Sequence, residues 1–313
     1  MNSLEIDNKL IEWLLAGDVS IEFQTRRDLL GQDRPDLQKR IETEGWGARF
    51  LAARGPDGHW GRAYYQPKWT SSHYTLLDLR NLELAPGVPE VDETICRILD
   101  QEIGPDGGIN SSPDIPQSDV CMNGMALDFL AWFRAPEERL KTVVDFILSQ
   151  RMDDGGFNCR RNRSGAIHSS VHSTLSVLEG IQTYLAGGYS YRFQDLDEAA
   201  TKGREFLLIH RLYKSHRTGE VISPLFTRLH YPCRWRFDVL RALDYFRGVG
   251  VADPRLSDAL EIVRKRRRKD GTWTASKHAG QTHFDMEKTR QPSRWNTLRA
   301  LRVLKTFDDL RGP

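Results

Sequence analysis

The sequence predicts an all-α protein built from repeated pairs of helices. Two observations predict this class: a glycine-rich turn motif recurs at a regular interval, and an apolar stride of three residues follows each copy of it. An apolar residue at every third position marks one face of a helix and not a strand. No convincing alternation of apolar and polar residues is present. A chain of 313 residues has room for about five to six such pairs around a sizeable core.

The turn motif establishes the repeat. Its copies are GPDGHWG from Gly55, GPDGGIN from Gly104, MDDGGFN from Met152 and KDGTWTA from Lys269, with a degenerate copy, HRTGEVI, from His216. The aspartates that precede glycine stand at positions 57, 106, 154 and 270. The intervals are 49 (106 minus 57), 48 (154 minus 106) and 116 (270 minus 154), the last close to two further periods. Self-similarity at a fixed period is typical of repeat architectures.

Each repeat contributes an outer and an inner helix. The helix before the turn carries more charge, as in 136–150 and 253–267, and begins at a proline or aspartate. The helix after the turn carries the apolar stride and is predicted to be the inner one. The inner segments are 76–82, 127–133, 175–181, 237–246 and 298–304. Such pairs either stack in an open solenoid or close into a ring.

The repetition also assigns a role to the paired aspartates of MDDGGFN. Asp154 is the aspartate found in all four copies, and Asp153 is its exposed neighbour. An active-site acid would not be needed four times around a ring, so Asp154 is interpreted as a turn residue. The aromatic residues of the turns, Trp60, Phe157 and Trp273, are expected to wedge between outer helices.

Composition excludes several classes of function. The formal charge of +2 is too small to indicate nucleic-acid binding, and the basic run at 264–269 suits the C-terminus of a helix. No apolar run is long enough to span a membrane, and the N-terminus does not resemble a signal peptide, so a cytoplasmic location is expected. The four cysteines are far apart, which indicates neither a disulfide framework nor a zinc ribbon.

The pattern from Gln150 to Phe157, Q-x-x-x-D-G-G-F, resembles the repeat of squalene-hopene cyclases and of protein prenyltransferase β subunits. The resemblance covers roughly residues 45 to 305 and implies an α/α toroid. We therefore expect one domain over 1–313, with N-terminal helices in 1–50 and the repeats in 51–313. The stretch 282–305 also resembles the end of a group of bacterial prenyltransferase-like proteins.

In such a toroid the N-termini of the inner helices open onto one end of a central cavity, where their dipoles suit anions such as diphosphate. The stretches just before these helices are rich in aromatic, histidine and arginine residues, which would line a pocket for an isoprenoid or bind its diphosphate. Ordinary packing and surface ion pairs are the alternative explanation. The substrate-binding candidates are Trp69, His73, Tyr231, Arg234, Trp235, Arg294 and Trp295.

A metal site is the most specific hypothesis for the stretches before the inner helices. Asp119 and Cys121 are two residues apart before one inner helix, and His172 begins the next. The arrangement is similar to the zinc site of protein prenyltransferase β subunits, which implies a Zn²⁺ ion with one open coordination position. The alternative is a helix cap, a small buried thiol and a hydrogen-bonded histidine. The stretch 109–118 lacks the basic residues that hold the diphosphate in that family.

A proton-transfer mechanism would use other residues. His283 and Asp285 form a histidine beside a carboxylate, an arrangement that suits acid–base catalysis. The alternative is a salt-bridged loop. No D-x-D-D acid of the terpene cyclase type stands before an inner helix.

Three functions follow from these candidates. The leading hypothesis is a prenyltransferase or terpene cyclase-like enzyme that acts on an isoprenoid-type substrate, with a zinc ion as possible cofactor. The second is a carbohydrate-active lyase or hydrolase on an α/α barrel, which would need carboxylates across the cavity. The third is a non-catalytic toroid that binds a lipid or protein partner. All three leave open a second subunit or a homo-oligomer.

Overall fold

The computed structural model describes residues 6–112 and 115–308. No helix in those two ranges has both the length and the apolar character that a membrane span requires. The α-helices are α1 (Asn8–Leu15), α2 (Val19–Leu30), α3 (Pro35–Arg40), α4 (Gly45–Ala52), α5 (Ser72–Asn81), α6 (Pro89–Gln101), α7 (Val120–Trp132), α8 (Glu137–Ser149), α9 (Arg160–Ser164), α10 (Val171–Ala186), α11 (Phe193–Ile209), α12 (Val239–Gly248), α13 (Ser257–Lys265) and α14 (Arg294–Thr306).

The helices form two layers, which confirms the prediction of an all-α toroid. The inner layer contains α5, α7, α10, α12 and α14, and these helices are buried on nearly all sides. The outer layer contains α6, α8, α11 and α13, which bury one apolar face and expose the opposite charged face. Each predicted inner segment coincides with a helix after a glycine turn. The buried apolar residues form one continuous core from Leu10 to Phe307.

The N-terminal helix α2 closes the ring. Its Asp28 forms an ion pair with Arg302 of α14 at 2.8 Å, and Lys305 donates to the Leu29 carbonyl at 2.9 Å. On the other side, the Gln24 amide donates to the carbonyl of Asn81 in α5 at 3.1 Å. Helix α2 therefore takes a sixth inner position between α14 and α5, although it precedes the first turn motif.

The turn motif fastens each outer helix to the next inner helix. The indole N–H of Trp60 donates to the Phe50 carbonyl at 2.6 Å, and that of Trp273 donates to the Val263 carbonyl at 2.7 Å. Each acceptor lies ten residues earlier, near the end of the preceding helix. The backbone N–H of Trp273 also donates to Thr297 of α14 at 3.0 Å. The aromatic residues are thus structural clamps.

The repeated aspartates have the same structural role. Asp106 accepts from the Ser118 backbone N–H at 2.7 Å and from its hydroxyl at 2.8 Å. Asp154 accepts from the Ser169 backbone N–H at 2.8 Å and from the Ser169 hydroxyl. In both turns the glycine that follows the aspartate has a positive φ, 82° at Gly107 and 90° at Gly155, which other residues rarely adopt. The pattern Asp-Gly is therefore explained by the turn itself.

A short two-stranded antiparallel pair precedes the last inner helix. It joins β1 (Trp273–Thr274) to β2 (Pro292–Ser293), with Trp273 opposite Ser293. The pair returns the segment between these strands to the start of α14, so that residues 275–291 lie over the N-terminal end of the ring. This strand pair was not predicted from the sequence, because two residues are too few for an alternating pattern.

Candidate functional site

A cavity of about 230 Å³ lies inside the ring. It is bounded by five inner helices of the repeats, by α2 and by the segment 231–234 before α12, and it extends from this segment and the first turn of α14 to the C-terminal ends of α5, α7 and α12. A site between packed elements of this size suits a small ligand. Its charged lining residues are Arg80, Glu83, Asp128, Glu179, Arg234, Arg241, Asp244, Arg247, Arg299 and Arg302, and its aromatic ones are Trp132, Tyr231, Tyr245 and Trp295.

The wall of the cavity is strongly charged. Six arginines and four carboxylates line it, so cations outnumber anions. Charged residues are rarely buried in a protein unless they are paired. The cavity is therefore a polar chamber within an otherwise apolar ring.

Three of the wall carboxylates are held by arginines from neighbouring helices. Asp128 of α7 lies 2.9 Å from Arg80 of α5. Glu179 of α10 accepts from the Arg241 Nε of α12 at 2.9 Å.

Asp244 of α12 is shared by several arginines. Its oxygens accept from Arg247 Nε at 2.9 Å and from Arg302 Nε at 2.8 Å. Burial raises the pKa of Asp244, but the guanidinium groups of Arg302 and Arg247 outweigh burial and hold the pKa well below its usual range. Asp244 is consequently a fixed anion and not a proton donor.

Two aromatic rings stack on each other beside these charges. The rings of Tyr231 and Trp295 stack with centroids 4.8 Å apart and planes 20° from parallel. Both residues line the cavity. The Trp295 indole N–H is buried and has no hydrogen-bond acceptor among the residues that the structure describes.

Arg234 is buried at the same end of the cavity, with 2% of its surface exposed. Its Nη1 donates to the Ala279 carbonyl at 3.0 Å, and its guanidinium carbon lies 5.4 Å from the Trp69 ring centroid and 5.3 Å from that of Tyr74. Its φ of 53° is in the left-handed region, which non-glycine residues seldom adopt. The backbone at Arg234 is thus constrained where the side chain enters the cavity wall.

Asp78 of α5 lies next to Arg234. Its Oδ2 is 3.7 Å from Arg234 Nη2, and its Oδ1 is buried without a partner within the described ranges. Burial raises the pKa of Asp78 to about 6, even though Arg234 acts in the opposite direction. This carboxyl can therefore change protonation state near neutral pH.

The structure brings together only some of the predicted substrate-binding residues. Tyr231, Arg234 and Trp295 line the cavity, and Trp69 lies against Arg234. His73 is fully buried behind the wall, where its Nδ1 is 2.7 Å from the Tyr64 hydroxyl.

The remaining two candidates lie elsewhere. Trp235 packs against the ring of His172 at 5.1 Å. Arg294 donates to the carbonyl of Trp13 in α1 at 2.9 Å and lies over the Trp13 ring.

The predicted zinc ligands do not form a ligand set. In the described part of the chain, no three histidine, cysteine or acidic side chains are arranged to hold a metal ion. Asp119 forms an ion pair with Arg163, and the neighbouring Cys159 together with burial raises the pKa of the Cys121 thiol well above its usual range. His172 Nδ1 instead accepts from the Phe237 backbone N–H at 2.8 Å.

The two residues of the predicted acid–base pair, His283 and Asp285, are not hydrogen-bonded to each other in the part of the chain that the structure describes. His283 Nε2 lies 2.9 Å from the Thr75 hydroxyl of α5, and its ring meets the edge of Phe50. Burial lowers the pKa of His283, and Arg234 lowers it further. No hydrogen bond or ion pair joins His283 to Asp285 in the described ranges. We therefore derive no proton transfer from this pair.

Sequence reasoning missed most of the charged wall. Arg80, Asp128, Glu179, Arg241 and Asp244 lie within or near the end of inner helices, whereas the predictions concentrated on the segments before them. A signal was available, because a charged residue in a helix that is apolar on all sides is unusual. The pairing of these residues between helices was not visible in the sequence.

Comparison with known proteins finds a likeness in fold to solved structures. No family model and no curated protein matches the sequence. A polysaccharide lyase structure superposes with a TM-score of 0.52 at 12% identity, over 92% of this chain and 87% of the lyase. A glycosyl hydrolase family 88 protein from Bacteroides vulgatus gives 0.53 at 10% identity, over 92% and 89%. The type II terpene cyclase MstE from Scytonema gives 0.34 at 12% identity, over 86% and 96%.

At these identities the likeness shows the fold alone. The superposition of the first two structures covers most of each chain, which agrees with the α/α toroid described above. A shared fold does not determine the reaction, which depends on the residues that line the cavity.

Proposed function

We propose that this protein is a carbohydrate-active enzyme that cleaves a glycosidic bond in the central cavity. The observation that carries the proposal is the charged wall, in which six arginines and four carboxylates surround the space available to a ligand. A hydrocarbon chain would remove these groups from water without offering them hydrogen bonds, which costs several kcal/mol for each charged group left unpaired. Sugar hydroxyls both donate to carboxylates and accept from guanidinium groups.

The ring of Tyr231, which stacks on the buried Trp295 and is itself partly exposed, supports the same substrate class. A sugar ring has one face of C–H groups, and it packs that face on an aromatic surface while its hydroxyls reach polar groups at the edge. Ligand sites commonly combine such apolar surfaces with a few convergent polar groups. The neighbouring arginines and carboxylates supply those polar groups here.

Two unpartnered donors of the cavity wall, and one unpartnered acceptor beside Arg234, favour an oxygen-rich ligand. They are two donors, Arg234 Nε and Trp295 Nε1, and one acceptor, Asp78 Oδ1. Buried polar atoms in native proteins are nearly always hydrogen-bonded. A ligand that both accepts and donates hydrogen bonds would satisfy all three, whereas an isoprenoid chain would satisfy none.

Asp78 is the proton-transfer group of this proposal. Cleavage of a glycosidic bond needs a group that gives or takes a proton, and the best such group titrates near the working pH. The pKa of Asp78, raised by burial to about 6, meets that condition. Asp128, Glu179 and Asp244 are committed to arginines and would instead orient the substrate.

The fold gives independent support of a general kind. The polysaccharide lyase and the glycosyl hydrolase share this toroid, so the architecture accommodates sugar chemistry. The isoprenoid hypothesis from the sequence depends on aromatic residues near the cavity. Of these residues, Trp69 lies against the buried guanidinium of Arg234 and Trp235 lies against the ring of His172.

Incubation with a panel of candidate substrates tests the proposal. The panel contains neutral and acidic polysaccharides, their oligosaccharides, and polyprenyl diphosphates. We expect new reducing ends from at least one glycan, with ultraviolet absorbance of a conjugated double bond if the cleavage is eliminative. Asp78→Asn should remove turnover, while Asp92→Asn, at an acid of the outer helix α6, should retain it. Turnover of a polyprenyl diphosphate together with inertness toward every glycan would overturn the proposal.

A further inference from the structure

We infer that the substrate carries an anionic group, a sugar carboxylate, and that Arg234 and Arg299 bind it from the wall of the cavity. This inference rests on the proposed function and adds the charge of the sugar. Both arginines line the cavity, and both are more than nine-tenths buried, with exposures of 2% and 7%. Arg234 lies in the segment before α12, and Arg299 lies within α14.

The first reason is that Arg234 has unused donors. Its Nε is buried and has no acceptor within the described ranges, and its Nη2 is 3.7 Å from Asp78 Oδ2, beyond hydrogen-bond distance. The Ala279 carbonyl accepts from Nη1 alone. A guanidinium group has five N–H donors. Arg234 therefore offers a buried positive charge whose hydrogen bonds are mostly unmade.

The second reason is that Arg299 makes only long contacts. Its Nη1 lies 3.4 Å from Cys233 Sγ and 3.4 Å from Asn296 Oδ1, and its Nε lies 3.5 Å from Asp244 Oδ2. Asp244 is held more closely by Arg302 and Arg247. Arg299 is thus the least firmly bound of the three arginines around this carboxylate.

The third reason is that Arg299 contacts the short segment to which Arg234 belongs. Arg299 contacts Cys233, which directly precedes Arg234 in the chain. Tyr231 belongs to the same segment and stacks on Trp295, four residues before Arg299 in α14. The two guanidinium groups therefore border the aromatic surface that is proposed to hold the sugar ring.

Other arginines of the wall are already satisfied. Arg80 donates to Asp128 at 2.9 Å and to the Thr183 hydroxyl at 3.1 Å. Arg241 donates to both oxygens of Glu179, and to the Ser176 hydroxyl at 3.2 Å. A new anion would gain little from these two. Among the wall arginines that the structure describes, Arg234 and Arg299 are the two that are buried near Tyr231 and Trp295 and have no short hydrogen bond to a carboxylate.

A carboxylate fits this arrangement better than a neutral group. Its two oxygens accept parallel hydrogen bonds from a guanidinium fork, and charge-assisted bonds are about twice as strong as neutral ones. A phosphate or diphosphate shares the negative charge, so the same pocket is open to test with those anions. A carboxylate on a sugar places its charge at the edge of the stacked ring, where these arginines lie.

Binding measurements on the whole protein separate these cases. Calorimetry and tryptophan fluorescence would compare glucuronate with glucose, galacturonate with galactose, and inorganic phosphate and pyrophosphate. We expect each acidic sugar to bind at least tenfold more tightly than its neutral counterpart, which is about 1.4 kcal/mol. Arg234→Gln and Arg299→Gln should each remove this preference. Arg255→Gln, at an exposed ion pair far from the cavity, should preserve it.

Different outcomes would overturn the anion inference and the carbohydrate proposal. Equal affinity for acidic and neutral sugars would overturn the anion inference and leave the carbohydrate proposal intact. Binding of pyrophosphate without binding of any sugar would overturn both. If one glutamine variant fails to fold, as thermal unfolding would show, the wild-type comparison of each acidic sugar with its neutral counterpart still decides the question.

Discussion

Gly180 of α10 packs directly against the backbone of Gly124 in α7. A Cβ atom at Gly180 would lie 2.2 Å from the Gly124 carbonyl oxygen, and one at Gly124 would lie 2.6 Å from the Cα of Val177. The two helices therefore touch through their main chains at this crossing. Such an approach is possible only where both helices lack a side chain. It fixes the distance between two walls of the ring.

Substitution of Gly180 by alanine should destabilise the protein. A methyl group at this position cannot avoid a backbone atom by rotating, so the helices must separate, and we expect a loss of more than about 2 kcal/mol in the free energy of unfolding. Urea denaturation followed by circular dichroism would measure the loss. Gly203→Ala is the matched control, because the nearest atom to a Cβ there is the flexible end of the Leu178 side chain at 3.0 Å and not a backbone atom. Equal stability of the two variants would contradict this account of the crossing.

The paired aspartates of the third turn should differ in their contributions to stability. Asp154 accepts two hydrogen bonds from Ser169, whereas Asp153 is exposed beside it. We expect Asp154→Ala to lower the melting temperature by an amount equivalent to about 1 kcal/mol. Asp153→Ala, measured in the same scan, should be nearly neutral. A larger effect at Asp153 would show that the turn is held by other contacts.

The repeat made most of the fold predictable. The turn motif and the apolar stride depend on local sequence, so the inner segments 76–82, 127–133, 175–181 and 298–304 each coincide with part of a helix. Helix α2 was harder to place, because it precedes the first turn and carries three charged residues, Arg26, Arg27 and Asp28, near its C-terminal end. One of these charges helps to close the ring, because Asp28 of α2 forms an ion pair with Arg302 of α14.

The candidate site was predictable only at one end. The segments before the inner helices drew attention because of their aromatic, histidine and arginine residues, and three of the substrate-binding candidates, Tyr231, Arg234 and Trp295, do line the cavity. The charged wall depends instead on pairs such as Arg241 with Glu179, which are 62 residues apart. Sequence spacing carries no information about contacts that the closed ring creates.

Protonation of His73 should weaken the fold in mild acid. Burial lowers the pKa of His73 to about 3, so the folded protein keeps this imidazole neutral while the unfolded chain binds a proton near the ordinary value of 6.5. A depressed pKa gives stability that is present above 6.5 and lost as the pH falls. The loss should reach about 2 kcal/mol by about pH 5.

Comparison with a variant isolates this histidine from other groups. His73→Gln keeps a polar partner for the Tyr64 hydroxyl but does not titrate. Chemical denaturation of both proteins at a series of pH values should show a shallower decline for the variant between about pH 6.5 and about pH 5. Parallel curves would indicate that the acid sensitivity comes from elsewhere, and the assignment to His73 would be wrong.

Removal of Arg234 should raise the pKa of Asp78 further. Burial disfavours the carboxylate and raises its pKa to about 6, and the nearby guanidinium is the main opposing influence. In Arg234→Gln that opposition is lost, so the protonated carboxyl should persist to higher pH than in the wild type. Infrared spectroscopy would follow its carbonyl band, with Asp78→Asn as the reference that identifies it.

The direction of this shift tests how the two residues interact. If the band titrates at the same pH in Arg234→Gln and in the wild type, then Arg234 does not affect the pKa of Asp78 across the 3.7 Å that separates Nη2 from Oδ2. In that case Asp78 is tuned by burial alone, and Arg234 retains its donors entirely for a ligand. A higher midpoint in the variant shows instead that Arg234 has two tasks: it holds the proton affinity of Asp78 near neutrality and presents its unpaired Nε to the cavity. A bound carboxylate would then partly neutralise Arg234 and raise the pKa of Asp78, so that a larger fraction of the carboxyl is protonated and available to give a proton when substrate is present.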